Sequence, residues 1–175
     1  MSEHNNIYLI GPMAAGKSTV GKLLAKRLSR EFYDTDVEII KCTGVEISLI
    51  FELEGEEGFR KRETDKLKIL SELDNAVIAT GGGIVLKEEN RKILQATGQI
   101  IYLQCSVDQQ LSRTKFDTKR PLLQIKNPRA KLEELMELRA PIYESIADVV
   151  ISTNKTNSKR VINSILDKLN NDENM

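Results

Sequence analysis

The sequence predicts an α/β domain in which a five-stranded parallel sheet is flanked by helices. Two observations predict it. Short apolar runs alternate along the chain with longer stretches of helical periodicity, the pattern of strands joined by crossover helices. The runs are nearly continuous in apolar character, as strands buried on both faces require. Size sets the bound: 175 residues are enough for a single core, and no repeat, linker or abrupt change of composition marks a second unit. One domain over residues 1–175 is the expectation.

The apolar runs are 7–10, 32–33, 76–79, 100–103 and 149–151, giving five strands. After the first run, Val20, Leu23, Leu24 and Leu28 recur at helical spacing. Arg60 lies seven residues before Leu67 in a further amphipathic segment. Residues 112–120 gather Arg113, Lys115, Lys119 and Arg120 around Asp117 and end at Pro121, which reads as a mobile basic loop, with a lid over about 112–124. Asn127-Pro128 pairs a capping side chain with proline at the first helical position, so a helix should run from there to about Ala140, stopping before Pro141. Leu132, Leu135 and Met136 give it an apolar stripe. A last helix carries Val161, Ile162, Ile165, Leu166 and Leu169, and the polar residues 170–175 should fray.

Composition excludes much chemistry. Lys plus Arg and Asp plus Glu both number 26, so the net charge is zero, unlike a nucleic-acid or acidic-membrane binder. Cys42 and Cys105 are far apart and outside any C-x-x-C pair, which indicates neither a disulfide framework nor a cysteine zinc site and fits a reducing cytoplasm. His4 is the only histidine, which removes Ser-His-Asp, Cys-His and H-E-x-x-H chemistry. The start is polar with no apolar stretch behind it, and no segment is apolar enough for a membrane span, so a soluble, unprocessed chain is expected.

Gly11-Pro-Met-Ala-Ala-Gly16-Lys17-Ser18 matches G-x-x-x-x-G-K-[ST] and falls between the first strand and the first helix, where a phosphate cradle must lie. Its glycines let backbone N–H groups turn towards phosphate oxygens, and the helix starting near Gly16 adds its positive dipole end. Lys17 would neutralise the β and γ phosphates, and the Ser18 hydroxyl would ligate Mg²⁺. Such a loop alone fits kinases, GTP switches and other nucleotide enzymes. The length suits a small-molecule kinase or a small switch, and Asn154-Lys155-Thr156-Asn157 lacks the closing aspartate of a guanine site, which favours ATP.

Asp34 and Asp36 follow the second strand at two-residue spacing, which on a continuing strand would put both carboxylates on one side. One would hold Mg²⁺ or its waters and the other would accept from an attacking hydroxyl, unless both are turn residues capping the next helix. Gly81, Gly82 and Gly83 follow the third strand at the sheet edge where ligands bind in open α/β folds. Arg139 shares the inward stripe of Leu132 and Met136, and Arg60 has a similar placement, although an Arg60–Glu63 ion pair would also explain it. Two guanidinium groups with Asp36 would bind a small acid bearing several hydroxyls. Arg120 would close over the phosphates, an effect worth on the order of 10³ or more in rate.

Taken together, GPMAAGKST at 11–19, FYDTD at 32–36, LEGEEGFRKRE at 53–63, ATGGG at 79–83, KRPLL at 119–123 and LRAPIYESIADVVI at 138–151 closely resemble the shikimate kinase family. The resemblance covers about residues 6–169. It implies a three-layer P-loop fold like that of the nucleoside monophosphate kinases. It also implies ATP-dependent phosphorylation of the shikimate 3-hydroxyl to shikimate 3-phosphate, on the way to chorismate and aromatic amino acids. Asp36 then matches the family's candidate base, Arg60 and Arg139 match the carboxylate-binding pair, and Gly81, Gly82 and Gly83 match the substrate-contacting loop. Ala14, Ala15, Gly16, Lys17, Ser18 and Thr19 match the nucleotide cradle, with Ser18 as magnesium ligand and Asp34 as its outer-shell support. Arg120 matches a lid residue, and Arg113, Lys155 and Thr156 lie where the family meets adenine. Family members are typically cytoplasmic monomers. Ala14 departs from the third P-loop glycine that the family commonly carries, a replacement that implies negative φ there. Alternatives are a kinase of another hydroxy acid or a nucleotide, and a non-catalytic nucleotide-binding regulator.

Overall fold

The computed structural model describes residues 5–116 and 125–174. Five strands, β1 (Asn6–Ile10), β2 (Phe32–Asp34), β3 (Val77–Ala79), β4 (Gly98–Gln104) and β5 (Val149–Ser152), form one parallel sheet in the order β2-β3-β1-β4-β5. The helices are α1 (Lys17–Leu28), α2 (Thr35–Thr43), α3 (Ile47–Ser71), α4 (Glu88–Thr97), α5 (Val107–Thr114), α6 (Pro128–Ile146) and α7 (Ser158–Glu173), with a short 3₁₀ turn at Ile84–Leu86. The five strands fall where the apolar runs predict, extended by one or two residues at some ends, with β3 starting one residue later.

Strand geometry divides the core. Successive side chains of β1 point to opposite faces: Ile7 and Leu9 pack with Leu24, Leu103, Val161 and Ile165 from the α1/α7 side. Tyr8 and Ile10 pack with Leu67, Ile78, Leu94, Tyr102 and Tyr143 from the α3/α4/α6 side. The sheet is thus buried on both faces, which is why its strands read as unbroken apolar runs. A third, smaller cluster of Ile39, Ile50 and Phe59 ties α2 to α3 away from the sheet.

Three predicted features differ. α6 does not stop at Ala140 but runs through Pro141 to Ile146. Proline inside a helix costs about 3 kcal/mol, and here Leu132 before it and Tyr143 and Ile146 beyond it are all buried, so packing on both sides keeps the helix going. Residues 112–114, read as loop, complete α5, while 117–124, including Arg120, lie outside the described residues. Residues 170–173, read as frayed, continue α7, whose Leu169 is buried against the core. α4 carried no sequence expectation, and α2 only as the helix that the aspartates would cap.

Because all strands are parallel, their carboxyl ends meet one edge. β1 delivers the 11–18 loop there, β2 delivers Asp34, β3 the glycines 81–83, β4 Cys105 and α5, and β5 Thr153 to Thr156.

Candidate active site

The cradle is built by backbone. Gly16 is left-handed (φ 88°, ψ 21°) and turns the chain directly into α1, so the first N–H groups of the helix face the loop. Ala15 is buried and donates its N–H to the Pro12 carbonyl at 3.3 Å. Thr19 sits in the first turn of α1 and is exposed. Lys17 Nζ folds back over the loop and donates to the carbonyls of Gly11 (2.7 Å) and Pro12 (2.8 Å). That position carries its charge into the concavity where a phosphate would sit.

Ala14 overturns its expectation: its φ is +65°, not negative. A left-handed alanine costs roughly 1–2 kcal/mol, and the surrounding contacts hold it. Arg113 Nη1 donates to the Ala14 carbonyl at 2.9 Å, and the Cys105 thiol lies 3.7 Å from the same oxygen. Arg113 continues to the Thr153 carbonyl at 2.6 Å and hydroxyl at 3.2 Å. It therefore clips the cradle to the β5–α7 loop that holds Lys155 and Thr156. Lys155 is itself left-handed (φ 50°) and exposed, and Thr156 is half-buried. Burial pushes the Cys105 thiol up, which leaves it protonated and inert.

The aspartate pair is also placed differently from the strand reading. β2 ends at Asp34, and Asp36 lies in the first turn of α2. Asp34 Oδ1 caps that helix, accepting from the N–H groups of Asp36 (2.9 Å) and Val37 (3.2 Å). Its Oδ2 accepts from the Ser18 hydroxyl. Asp34 thus does both things the sequence left open: it caps a helix and faces the cradle. Ser18 and Asp34 fit a Mg²⁺ that takes its other ligands from phosphate and water, since that ion needs only one or two protein oxygens.

Asp36, Arg60 and Arg139 converge on the glycines after β3. A Cβ on Gly81 would stand 2.6 Å from Glu63 Oε2 and 3.2 Å from Asp36 Oδ1. One on Gly82 would stand 3.4 Å from Arg139 Nη1 and 3.5 Å from the Gly11 carbonyl, and one on Gly83 would overlap the Arg60 guanidinium. These glycines serve by size: none has the positive φ that would demand glycine for its backbone. The loop is tied from two sides, Gly81 N–H donating to Thr35 Oγ1 (3.0 Å) and Tyr143 OH to the Gly82 carbonyl (2.5 Å).

Arg60 makes the ion pair that the sequence offered and also stands beside the glycines. It pairs with Glu63 at 2.8 Å, and it stands in the cluster with only 13% of its side chain exposed. Glu63, fully buried and read from the sequence only as an ion-pair partner of Arg60, and Tyr143, not singled out at all, both line the cluster. Their signal was position alone: Glu63 lies three residues after Arg60 and Tyr143 four after Arg139, each on the stripe facing the core. Burial raises the Glu63 carboxyl above the ordinary range, opposed by Arg60 and reinforced by Asp36. Burial likewise raises the Tyr143 hydroxyl, which remains a donor. The Nε atoms of Arg60 and Arg139 are buried with no partner among the described residues. Leaving such donors unsatisfied costs about 1–3 kcal/mol each, so an acceptor group placed against them would be stabilising.

Residues 13–170 match the shikimate kinase family. The chain is 52% identical to the shikimate kinase of Methylococcus capsulatus, over 95% of this chain and 93% of that one. It is 53% identical to that of Francisella tularensis subsp. novicida, over 94% of each. Among solved structures, shikimate kinase from Acinetobacter baumannii in complex with shikimate superposes with a TM-score of 0.94 at 45% identity, covering 98% of this chain and 96% of that one.

Proposed function

This chain belongs to the shikimate kinase family and phosphorylates shikimate with ATP, and we propose that Asp36, Arg60 and Arg139 hold the acceptor while the 11–18 loop holds the triphosphate. The convergence of two arginines and an aspartate on a floor of glycines carries this reading. The shikimate carboxylate would satisfy the guanidinium donors of Arg60 and Arg139, including buried Nε atoms. Its hydroxyls would meet Asp36, with Gly81, Gly82 and Gly83 giving the ring room to lie close to the backbone.

Transfer then proceeds mainly by positioning and charge neutralisation. The 3-hydroxyl oxygen attacks the γ-phosphorus, the bond to the β–γ bridging oxygen breaks, and ADP leaves with the electron pair. Asp36 accepts the hydroxyl proton as the new P–O bond forms. Lys17 exchanges its loop carbonyls for phosphate oxygens, and the backbone N–H groups of Ala14, Ala15 and Gly16, with Thr19, line the cradle. Mg²⁺, held by Ser18 with Asp34 behind it, would supply charge neutralisation across the β and γ phosphates. Arg113, Lys155 and Thr156 would border the adenine, and Arg120 would close over the transferring group. The product would be shikimate 3-phosphate, and we read the protein as a single-domain, monomeric, cytoplasmic enzyme. No helix among the described residues is long and apolar enough to cross a membrane.

The test is a coupled assay of ADP release with and without shikimate, followed by identification of the phosphorylated hydroxyl. ADP release should require shikimate and yield the 3-phosphate. Release that ignores shikimate, or that responds equally to another hydroxy acid, would overturn the assignment. Asp36→Ala should abolish turnover while leaving ATP affinity intact, and a fully active variant would remove Asp36 from the mechanism.

A further inference from the structure

We propose that Arg91, assisted by Asn90, is a positioning residue for the acceptor site, fixing from the far side the glycine floor on which Arg60 and Arg139 rest. The inference builds on the reading that shikimate lies over glycines 81–83. That loop does not end at Gly83. Ile84 N–H donates to the Gly81 carbonyl (3.2 Å) and Leu86 N–H to the Gly83 carbonyl (3.1 Å), so residues 81–86 form one hydrogen-bonded unit. Its 3₁₀ turn leaves its own carbonyls without intrahelical partners, as any helix C-terminus does, and Ile84 and Val85 are fully buried, beyond reach of water.

Side chains from the first turn of α4 take up all three carbonyls. Asn90 Nδ2 donates to Ile84 at 2.9 Å, and Arg91 Nη1 donates to Val85 at 2.7 Å and to Leu86 at 3.1 Å. Neither residue touches glycines 81–83 or the acceptor-facing groups around them, and among the described residues Arg91 pairs with no carboxylate. Its guanidinium is spent on backbone. The chain of contact is short and directional: Arg91 and Asn90 hold the 3₁₀ turn, the turn holds the glycine carbonyls, and the glycines set where the guanidinium groups lie. Clearances there are tight, since a Cβ added to Gly83 would overlap Arg60. A floor displaced by a few tenths of an ångström would therefore misplace Arg60 while leaving the 11–18 cradle untouched.

The experiment is steady-state kinetics of Arg91→Met, which keeps the apolar stem and loses the donors, beside Arg91→Lys, which keeps one donor nitrogen but loses the planar fork. Arg91→Met should raise KM for shikimate about tenfold, a difference of about 1.4 kcal/mol, with KM for ATP and kcat within about twofold of the wild type. Arg91→Lys should fall between. Thermal unfolding of each variant distinguishes a folded enzyme from a collapsed one, and if Arg91→Met fails to fold, the lysine variant carries the same comparison. An unchanged shikimate KM in a folded variant, or equal rises in both KM values, would refute the positioning role. A wild-type enzyme without shikimate-dependent turnover would instead refute the acceptor site itself.

Discussion

At the scale of single residues, Ala14 and Glu63 are each held away from their ordinary state by their surroundings, one in its backbone and one in its protonation. Ala14 sits left-handed because Arg113, ninety-nine positions away, grips its carbonyl. Ala14→Gly should remove about 1–2 kcal/mol of strain, of which glycine's greater freedom in the unfolded chain returns about 0.4–1 kcal/mol. A small net gain remains, seen as a melting temperature higher by about 2 °C; a lower one would mean that Ala14 is unstrained. Glu63 is raised chiefly by burial. From the ordinary glutamate range near ~4.3 upward, the native state therefore holds a proton that the unfolded chain has lost, and stability falls as pH rises through that interval. Glu63→Gln removes this titration, so the stability of the variant relative to the wild type should climb as pH rises from the ordinary glutamate range upward. Urea unfolding across that range measures it, and a difference independent of pH would contradict the burial effect. The sequence made the Arg60–Glu63 pair legible because it is local, whereas the Arg113–Ala14 contact joins separate elements and no spacing rule reaches it.

At the scale of elements, the informative places are helix ends and interruptions. Asp34 terminates β2 and caps α2 in one residue, which moves Asp36 from a strand continuation onto a helix. The two-residue spacing of the aspartates was visible, but the site of the strand-to-helix change was not, since three apolar or mixed residues make a strand too short to time its own end. The two roles of Asp34 separate by substitution. Asparagine caps a helix about as well as aspartate, whereas alanine loses about 1 kcal/mol. Asp34→Ala should lower the melting temperature by about 2–4 °C and Asp34→Asn should leave it unchanged, while both should require more Mg²⁺ for half-maximal activity. Equal destabilisation by the two would show that the cap contributes nothing. α3 is interrupted at Gly55 (φ 72°, ψ −177°), a conformation essentially reserved for glycine. The bend lets the Ile47 arm pack on α2 while the arm carrying Arg60 and Glu63 packs on the sheet. Pro141 is the converse, a sequence signal for a break that flanking burial overrides.

Across the whole molecule, the same division that makes the architecture readable also sets where it moves. The sheet was legible because burial on both faces removes polar positions from its strands. Its order was not, because which crossover lands beside β1 depends on long-range packing that no local pattern encodes. The two large clusters on either side of the sheet share its strands and should open only with the molecule as a whole. The cluster of Ile39, Ile50 and Phe59 stands apart from both, with Val37 and Leu53 exposed beside it, so α2 and the first arm of α3 are held by far less buried apolar surface. That low-stability unit includes Asp36, and α3 continues from it to Arg60 and Glu63. Ligands that bridge it to the sheet edge stabilise this unit in its docked position by mass action. Amide hydrogen exchange should accordingly be fast over residues 35–54 and slow over β1, β3 and β4, and saturating shikimate should slow the 35–54 segment severalfold while leaving the strands unchanged. Uniform protection of the two regions without ligand would mean that α2 and α3 share the cooperativity of the main core, and the acceptor would then bind a preformed wall.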